Sequence, residues 1–311
     1  MEHNDTQLQW TEEQWNLVQQ TVRDEARKLR VAASFLPLYG PLSPDTESVA
    51  LQKLEETPVQ RPGQPGMKVD DVDTRPLTTI SVNVELKRSQ VSQPDLSSAL
   101  MMFRRAANII ARVEDRIVFM GQPKETEIGN LPITPKIYTV SGGEEFSGLI
   151  TEAIQQHNIV VVRNVDGGGV LVNKLAEAIG MLENKGHLGP FALVLGRNLF
   201  IIAHTPNDQS LVLPADRINP LLNGPLLRSS TIDLLDISPE ESNSIKEVNR
   251  GVLVSLAGNP IDLVVARDIS VQFLQITTEP RYVYRVSQRF TLRIKQVNSI
   301  IAILPNDPGG H

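Results

Sequence analysis

The sequence predicts an α+β protein, and three observations carry that prediction. From Leu96 to Ile117, apolar residues recur at steps of three and four. From Arg281 to Ile294, aromatic and aliphatic residues fall on one face and arginines on the other. Between these runs, helix-like and strand-like stretches alternate from about Glu144 to Leu195. The first pattern belongs to a long amphipathic helix, the second to a long strand, and the third to a compact α/β unit. A chain of 311 residues has room for two domains.

Each element follows from its own pattern. Thr11 to Ala33 places Trp15, Val18, Val22, Ala26, Leu29 and Ala33 on one face, with Thr11 as N-cap and Gln14 closing a capping box. An apolar extended run, Phe35 to Tyr39, stops at Gly40-Pro41. Thr57 to Thr74 holds Pro58, Pro62, Gly63, Pro65 and Gly66, then Asp70, Asp71 and Asp73, and reads as a long exposed arm. Ile80, Val82, Val84 and Leu86 form a period-two strand with Ser81, Asn83 and Glu85 behind it.

Pro94-Asp95 opens the longest helix, with Leu96, Leu100, Phe103, Ala107, Ile110, Val113 and Ile117 as its stripe and Gly121 and Pro123 as its stop. It is a spine of about seven turns. A helix over Glu144 to His157, a strand-turn-strand over Ile159 to Val172, a helix over Asn173 to Lys185 and a buried strand over Phe191 to Leu195 follow. Beyond Ser255 the chain is strand-rich. Tyr282, Tyr284, Val286, Phe290, Leu292 and Ile294 share one face there, opposite Arg281, Arg285, Arg289 and Arg293. Strands usually run about five or six residues, and one this long suits a strut in a larger assembly.

Composition and motifs exclude several classes. Thirty Lys and Arg against 36 Asp and Glu give a net charge of −6, which opposes a nucleic-acid partner. Without cysteine there is no disulfide, thiolate metal site or cysteine nucleophile, which is compatible with a cytoplasmic location. Met1 to Gln20 lacks the apolar core of a signal peptide, and no run approaches the roughly 18 apolar residues of a spanning helix, so no membrane partner is expected.

His3, His157, His187, His204 and His311 share no metal-ligand spacing. Asp166-Gly167-Gly168-Gly169 reads as a hairpin turn rather than a phosphate cradle, and GxxxxGK[ST], GxGxxG and GxSxG motifs are absent. Glu114 and Asp115 point roughly 100° apart on their helix, so they do not face one substrate. With Arg116 they are expected to form solvated or intersubunit salt bridges. The arginines of the late strand lie opposite its rings, which argues against a single-strand nucleic-acid platform; pairing with carboxylates of a neighbouring subunit is expected instead. The chain reads as an assembly protein, not an enzyme.

Several runs resemble the encapsulin shell proteins, a linocin-like bacterial family with the major-capsid fold of Hong Kong-type tailed phages. They are Gly189-Pro190-Phe191-Ala192-Leu193-Val194-Leu195-Gly196, Arg267-Asp268-Ile269-Ser270-Val271-Gln272-Phe273, Gln288-Arg289-Phe290-Thr291-Leu292-Arg293 within Tyr284 to Ile294, the spine through Glu114-Asp115 to Gly121, and Phe35 to Pro41. The resemblance implies an N-terminal helix and arm (1–56), an extended loop (57–93), a peripheral domain on the spine (94–140) completed by C-terminal strands (255–311), and an axial domain (141–254).

It further implies an icosahedral shell of many copies enclosing a cargo enzyme, a peroxidase or ferritin-like protein, held by the cargo's C-terminal peptide. The matching docking positions are Leu29, Phe35, Leu36 and Leu38 beside Asp268, Ile269, Val271 and Gln272, while His204, Thr205, Pro206, Asn207, Asp208 and Gln209 match a fivefold pore loop. Pro37 stands where the family commonly has Asp, and Gly258-Asn259-Pro260-Ile261 replaces its Gly-Gly-Asp-Phe turn. Some members hold a flavin between aromatics ahead of the spine; Glu85 to Gln93 has no Trp or Tyr, so no cofactor is expected. A segment around Thr139 to Gly169 is longer than in the family and is expected to decorate a pore or outer surface. A phage or prophage capsid protein that packages DNA is the alternative on the same fold.

Overall fold

The structure, a computed structural model, describes residues 10–57, 66–124, 131, 133–163, 167–206, 212–233 and 250–305. Helix α1 (Glu12–Leu29) begins with the expected capping box. Thr11 Oγ1 accepts the Gln14 N–H at 3.2 Å and Gln14 Oε1 accepts the Thr11 N–H at 3.0 Å, so each side chain satisfies a donor that the helix start leaves open. The helix stops short of Ala33. Arg30 is extended (φ −69°, ψ 112°), and the Asp115 carboxylate accepts the next two N–H groups, those of Val31 and Ala32, at 3.0 and 2.9 Å. A 3-10 turn over Ala32–Ser34 leads to β1 (Leu38–Tyr39).

The expected arm is ribbon in its described part. β2 (Ser48–Ala50) pairs with β5 (Thr74–Pro76), and β3 (Lys53–Thr57) with β4 (Gly66–Asp70); 58–65 lie outside the described residues. β6 (Thr78–Lys87) and a short helix α2 (Arg88–Val91) precede the spine, α3 (Ser97–Met120). The spine ends at Gly121, at φ 97°, where an added Cβ would lie 2.1 Å from the Phe146 carbonyl oxygen. β7 (Gly121–Gln122), β8 (Tyr138–Gly142), β9 (Phe146–Ser147), α4 (Leu149–Gln155) and β10 (Ile159–Val161) follow. α4 starts later than Glu144 because Phe146 and Ser147 are engaged in pairing with β7.

The hairpin expected over Ile159 to Val172 is not formed. Its first strand ends at Val161, and Gly167 is the N-cap of α5 (Gly168–Asn184), which takes up Gly168, Gly169 and the valine-rich run behind them. The helix wins because Leu171, Leu175, Ala178, Ile179 and Leu182 bury one face at helical spacing. Gly168 is pressed so closely that a Cβ would lie 2.3 Å from Pro214 Cγ; Asp166 lies outside the described residues. β11 (Phe191–Leu195), α6 (Arg197–Ala203), α7 (Pro214–Leu222), β12 (Leu226–Arg228), β13 (Gly251–Ser255), β14 (Ile261–Ile276), β15 (Arg281–Ile294) and β16 (Ile300–Leu304) complete the chain.

Two five-stranded sheets organise these elements, in the orders β1-β14-β15-β6-β8 and β10-β16-β13-β11-β12. The first sheet packs α1 and the spine against Val82, Val84, Leu86, Tyr284, Val286, Phe290 and Leu292. The second is covered on both faces, and its strands alternate accordingly. Val252, Val254, Ile300 and Ala302 join the spine-side core, while Leu253, Ile301 and Ile303 meet α5, α6 and α7. The described residues of 139–169 are therefore built into the packed fold. β8 is an edge of one sheet, β10 an edge of the other, and Leu149, Ile150 and Ala153 of α4 are fully buried between.

Long-range packing also changes the expected roles of the charged residues. Glu114, Asp115 and Arg116 are all buried, not solvated. Arg30 pairs with Glu114 at 2.7 Å, Asp115 holds the turn after α1, and Arg116 donates to the Thr231 carbonyl at 3.1 Å. Arg293 forms its bidentate pair within its own chain, with Asp262 at 2.8 and 2.7 Å. Arg289 donates to the Pro44 carbonyl and Arg285 to Asn83 Oδ1. The segment that carries Leu42 and Val49 covers this face of the sheet, which is why its arginines find partners inside the subunit.

Candidate functional site

A groove of about 540 Å³ opens between α1 and the β1 end of the first sheet. β1 is only two residues long for local reasons. Pro37 precedes it without an N–H, and Gly40, at φ 127°, turns the chain away so tightly that a Cβ would sit 2.2 Å from the Val265 carbonyl oxygen. As the sheet edge, β1 shows Leu38 and Tyr39 at 60% and 48% exposure. Opposite them, Arg23, Arg27 and Arg30 line the groove at i, i+4 and i+7 along α1, the spacing of a single helical face. Leu263 and Val265 of β14 and Glu114 of the spine line it as well.

Arg30 is the electrostatic centre. It pairs with Glu114 at 2.7 Å and Asp268 at 2.9 Å, and donates to Gln288 Oε1 at 2.6 Å. Burial works against its charge, but Glu114, Asp268 and Asp115 outweigh burial and hold its pKa above the ordinary value. Burial raises the Glu114 carboxyl, with Arg30 and Gln288 opposing. Burial also pushes Asp115 up to about 7, against the pull of the Ala32 and Val31 N–H groups.

The expected docking residues separate into groups. Leu38 and Asp268 line the groove. Leu36, Ile269 and Val271 are core residues at 4%, 0% and 3% exposure. Leu29 and Phe35 are half-buried and Gln272 is exposed, none of them on the groove wall. The β14 edge beside Gln272 is already occupied, since Gln19 donates to the Val271 carbonyl at 2.7 Å and accepts its N–H at 3.1 Å. Asp268 projects because β14 runs one residue ahead of β15 between the pairs Arg267–Arg289 and Ser270–Ser287, a bulge that re-aims side chains. Sequence reasoning missed Arg23, Arg27, Arg30 and Tyr39; the i, i+4, i+7 arginines beside the Val18, Val22, Ala26 stripe were the available signal.

Of the pore loop, His204, Thr205 and Pro206 are exposed at the end of α6, with the His204 ring stacked on Phe200 at 4.1 Å. Asn207, Asp208 and Gln209 lie outside the described residues. Among the described residues, no group of three or more His, Asp or Glu is placed to hold a metal ion, and no helix is long and apolar enough to cross a membrane.

The architecture is that of a capsid-type shell subunit. A virus-like particle from Pyrococcus furiosus superposes with a TM-score of 0.62 at 13% identity, covering 94% of this chain and 99% of that one. The capsid of Myoviridae phage XM1 gives 0.58 at 11% identity, covering 89% and 92%. The family model described as "Encapsulating protein for peroxidase" matches residues 4–291, and the chain belongs to this family of encapsulin shell proteins. Among its relatives is the type 1 encapsulin shell protein EncA of Myxococcus xanthus, 24% identical over 305 residues, 94% of this chain and 92% of the relative.

Proposed function

We propose that copies of this chain close into an icosahedral nanocompartment in the cytoplasm, enclosing a peroxidase or ferritin-like cargo captured by its C-terminal peptide. The groove carries this reading. A trough beside a sheet edge, apolar at Leu38 and Tyr39 and charged along α1, offers an extended peptide backbone pairing together with pockets for alternate side chains. The family's description as an encapsulating protein for peroxidase supports the choice of cargo class.

On the same reading, 57–93 is the interlocking extended loop, 94–140 with 255–311 the peripheral domain, and 141–254 the axial domain. The loop from His204 to Gln209 lines a fivefold pore, where a ring of Asp208 copies favours cations because convergent like charges focus the field. Particles purified from the native host and characterised by sedimentation, negative-stain microscopy and mass spectrometry test the proposal. Uniform hollow shells with a co-enclosed oxidoreductase or ferritin-like protein are expected. A small species under all gentle conditions overturns it, and an unchanged cation flux in Asp208→Lys shells overturns the pore assignment.

A further inference from the structure

We infer that the groove selects an acidic peptide, one bearing Asp or Glu at alternate positions, through Arg23 and Arg27 of α1. The inference rests on the peptide-docking reading above and adds the charge pattern of the partner. Three arginines line the groove, and they are not equivalent. Arg30 is committed to Glu114 and Asp268, and these two are also the only carboxylates on the groove wall. Arg23 and Arg27 are exposed and form no ion pair or hydrogen bond with any described residue. The groove therefore presents two uncompensated guanidinium groups one helical turn apart, a like-charge arrangement that is unfavourable until anions arrive.

The spacing of that pair fits an extended chain. Four residues of helix rise about 6 Å, and side chains at i and i+2 of a strand lie about 6.6 Å apart on one face. A peptide paired along β1 thus aims alternate carboxylates at Arg23 and Arg27, and arginine is suited to hold each one bidentately. The intervening residues turn to the other face of the sheet edge, beside Tyr39, while Leu38 lies on the arginine side. A single terminal carboxylate would leave one of the two cations unmatched, which is why the acidic side chains of the peptide are assigned rather than its terminus.

Binding is read by fluorescence anisotropy on the full chain, reassembled from denaturant with peptide present. The probes are fluorescein-labelled octapeptides, C-terminally amidated, with Leu alternating with Glu, Gln or Lys. A fourth probe is the Gln peptide with a free terminal carboxylate, and a fifth is an oligothymidylate of equal length. The Glu peptide is expected to bind about tenfold more tightly than the Gln peptide at low salt and to lose that margin at high salt, with the Lys peptide weakest. R23E/R27E should reverse the order of the Glu and Lys peptides, and R23Q/R27Q should level the Glu and Gln peptides.

Equal binding of the Glu and Gln peptides overturns the inference. So does a free-carboxylate Gln peptide that matches the Glu peptide, or tighter binding of the oligothymidylate. Failure of all four peptides overturns the groove as a peptide dock, whereas failure of the unmodified chain to form particles appears separately, in sedimentation.

Discussion

Replacing Asp115 with Asn should make the subunit more stable at pH 8, and by a smaller margin at pH 5. The carboxyl is buried under the end of α1, where burial lifts its pKa from an ordinary 3.8 to about 7. Between pH 5 and about 7 the native chain keeps a proton that the unfolded chain has already released, so rising pH favours unfolding. At about 1.36 kcal/mol per pKa unit, this one group removes about 2–3 kcal/mol of stability across that interval. Asn keeps an acceptor for the Val31 and Ala32 N–H groups and cannot ionise, so D115N should lie about 1–2 kcal/mol above the unmodified chain at pH 5, where the unfolded Asp has already ionised, and about 4 kcal/mol above it at pH 8. Glu114 is shifted in the same direction and its charge helps to raise Asp115, so the difference between the two proteins reports Asp115 together with its coupling to Glu114. Urea unfolding at pH 5, 6, 7 and 8, at one chain concentration because assembly shifts apparent stability, measures the difference. Parallel curves for the two proteins would refute the reasoning.

Truncating Arg293 to Ala leaves the buried Asp262 carboxylate with Lys295, 3.1 Å away, as its remaining cation, and should cost about 1–3 kcal/mol in denaturant unfolding. Gly40→Ala forces a Cβ to 2.2 Å from the Val265 carbonyl oxygen at a φ of 127°. It should destabilise the subunit by at least about 1–3 kcal/mol, and hydrogen exchange should rise first around β1. Thr11→Ala removes half of the capping box, with an expected loss of about 1 kcal/mol readable as a lowered unfolding midpoint.

How much could be read in advance depended on how locally each element is determined. α1, the spine, β6 and β15 each carry one apolar stripe against the core, so the apolar period alone located them. The segment at Gly167 to Val172 misled because glycines and valines favour turn and strand in isolation, while packing against Pro214 and the second sheet settles a helix. The second face of β15 was seen as basic but assigned to a neighbouring subunit, because nothing near it in sequence announces that residues 42–50 fold over it. In the groove, Leu38 and Asp268 were reachable through family resemblance. The arginine wall was not, since its meaning depends on which cations Glu114 and Asp268 already hold, and that requires the tertiary fold.

The parallel pairing of β1 with β14 joins residues 38–39 to residues 263–264. The first wall of the groove therefore leaves the ribosome long before the second. On the peptide-docking proposal, a client tail has a complete groove to grip only once both walls have been made. If the groove is the dock, the strand connectivity itself places capture after synthesis of both walls.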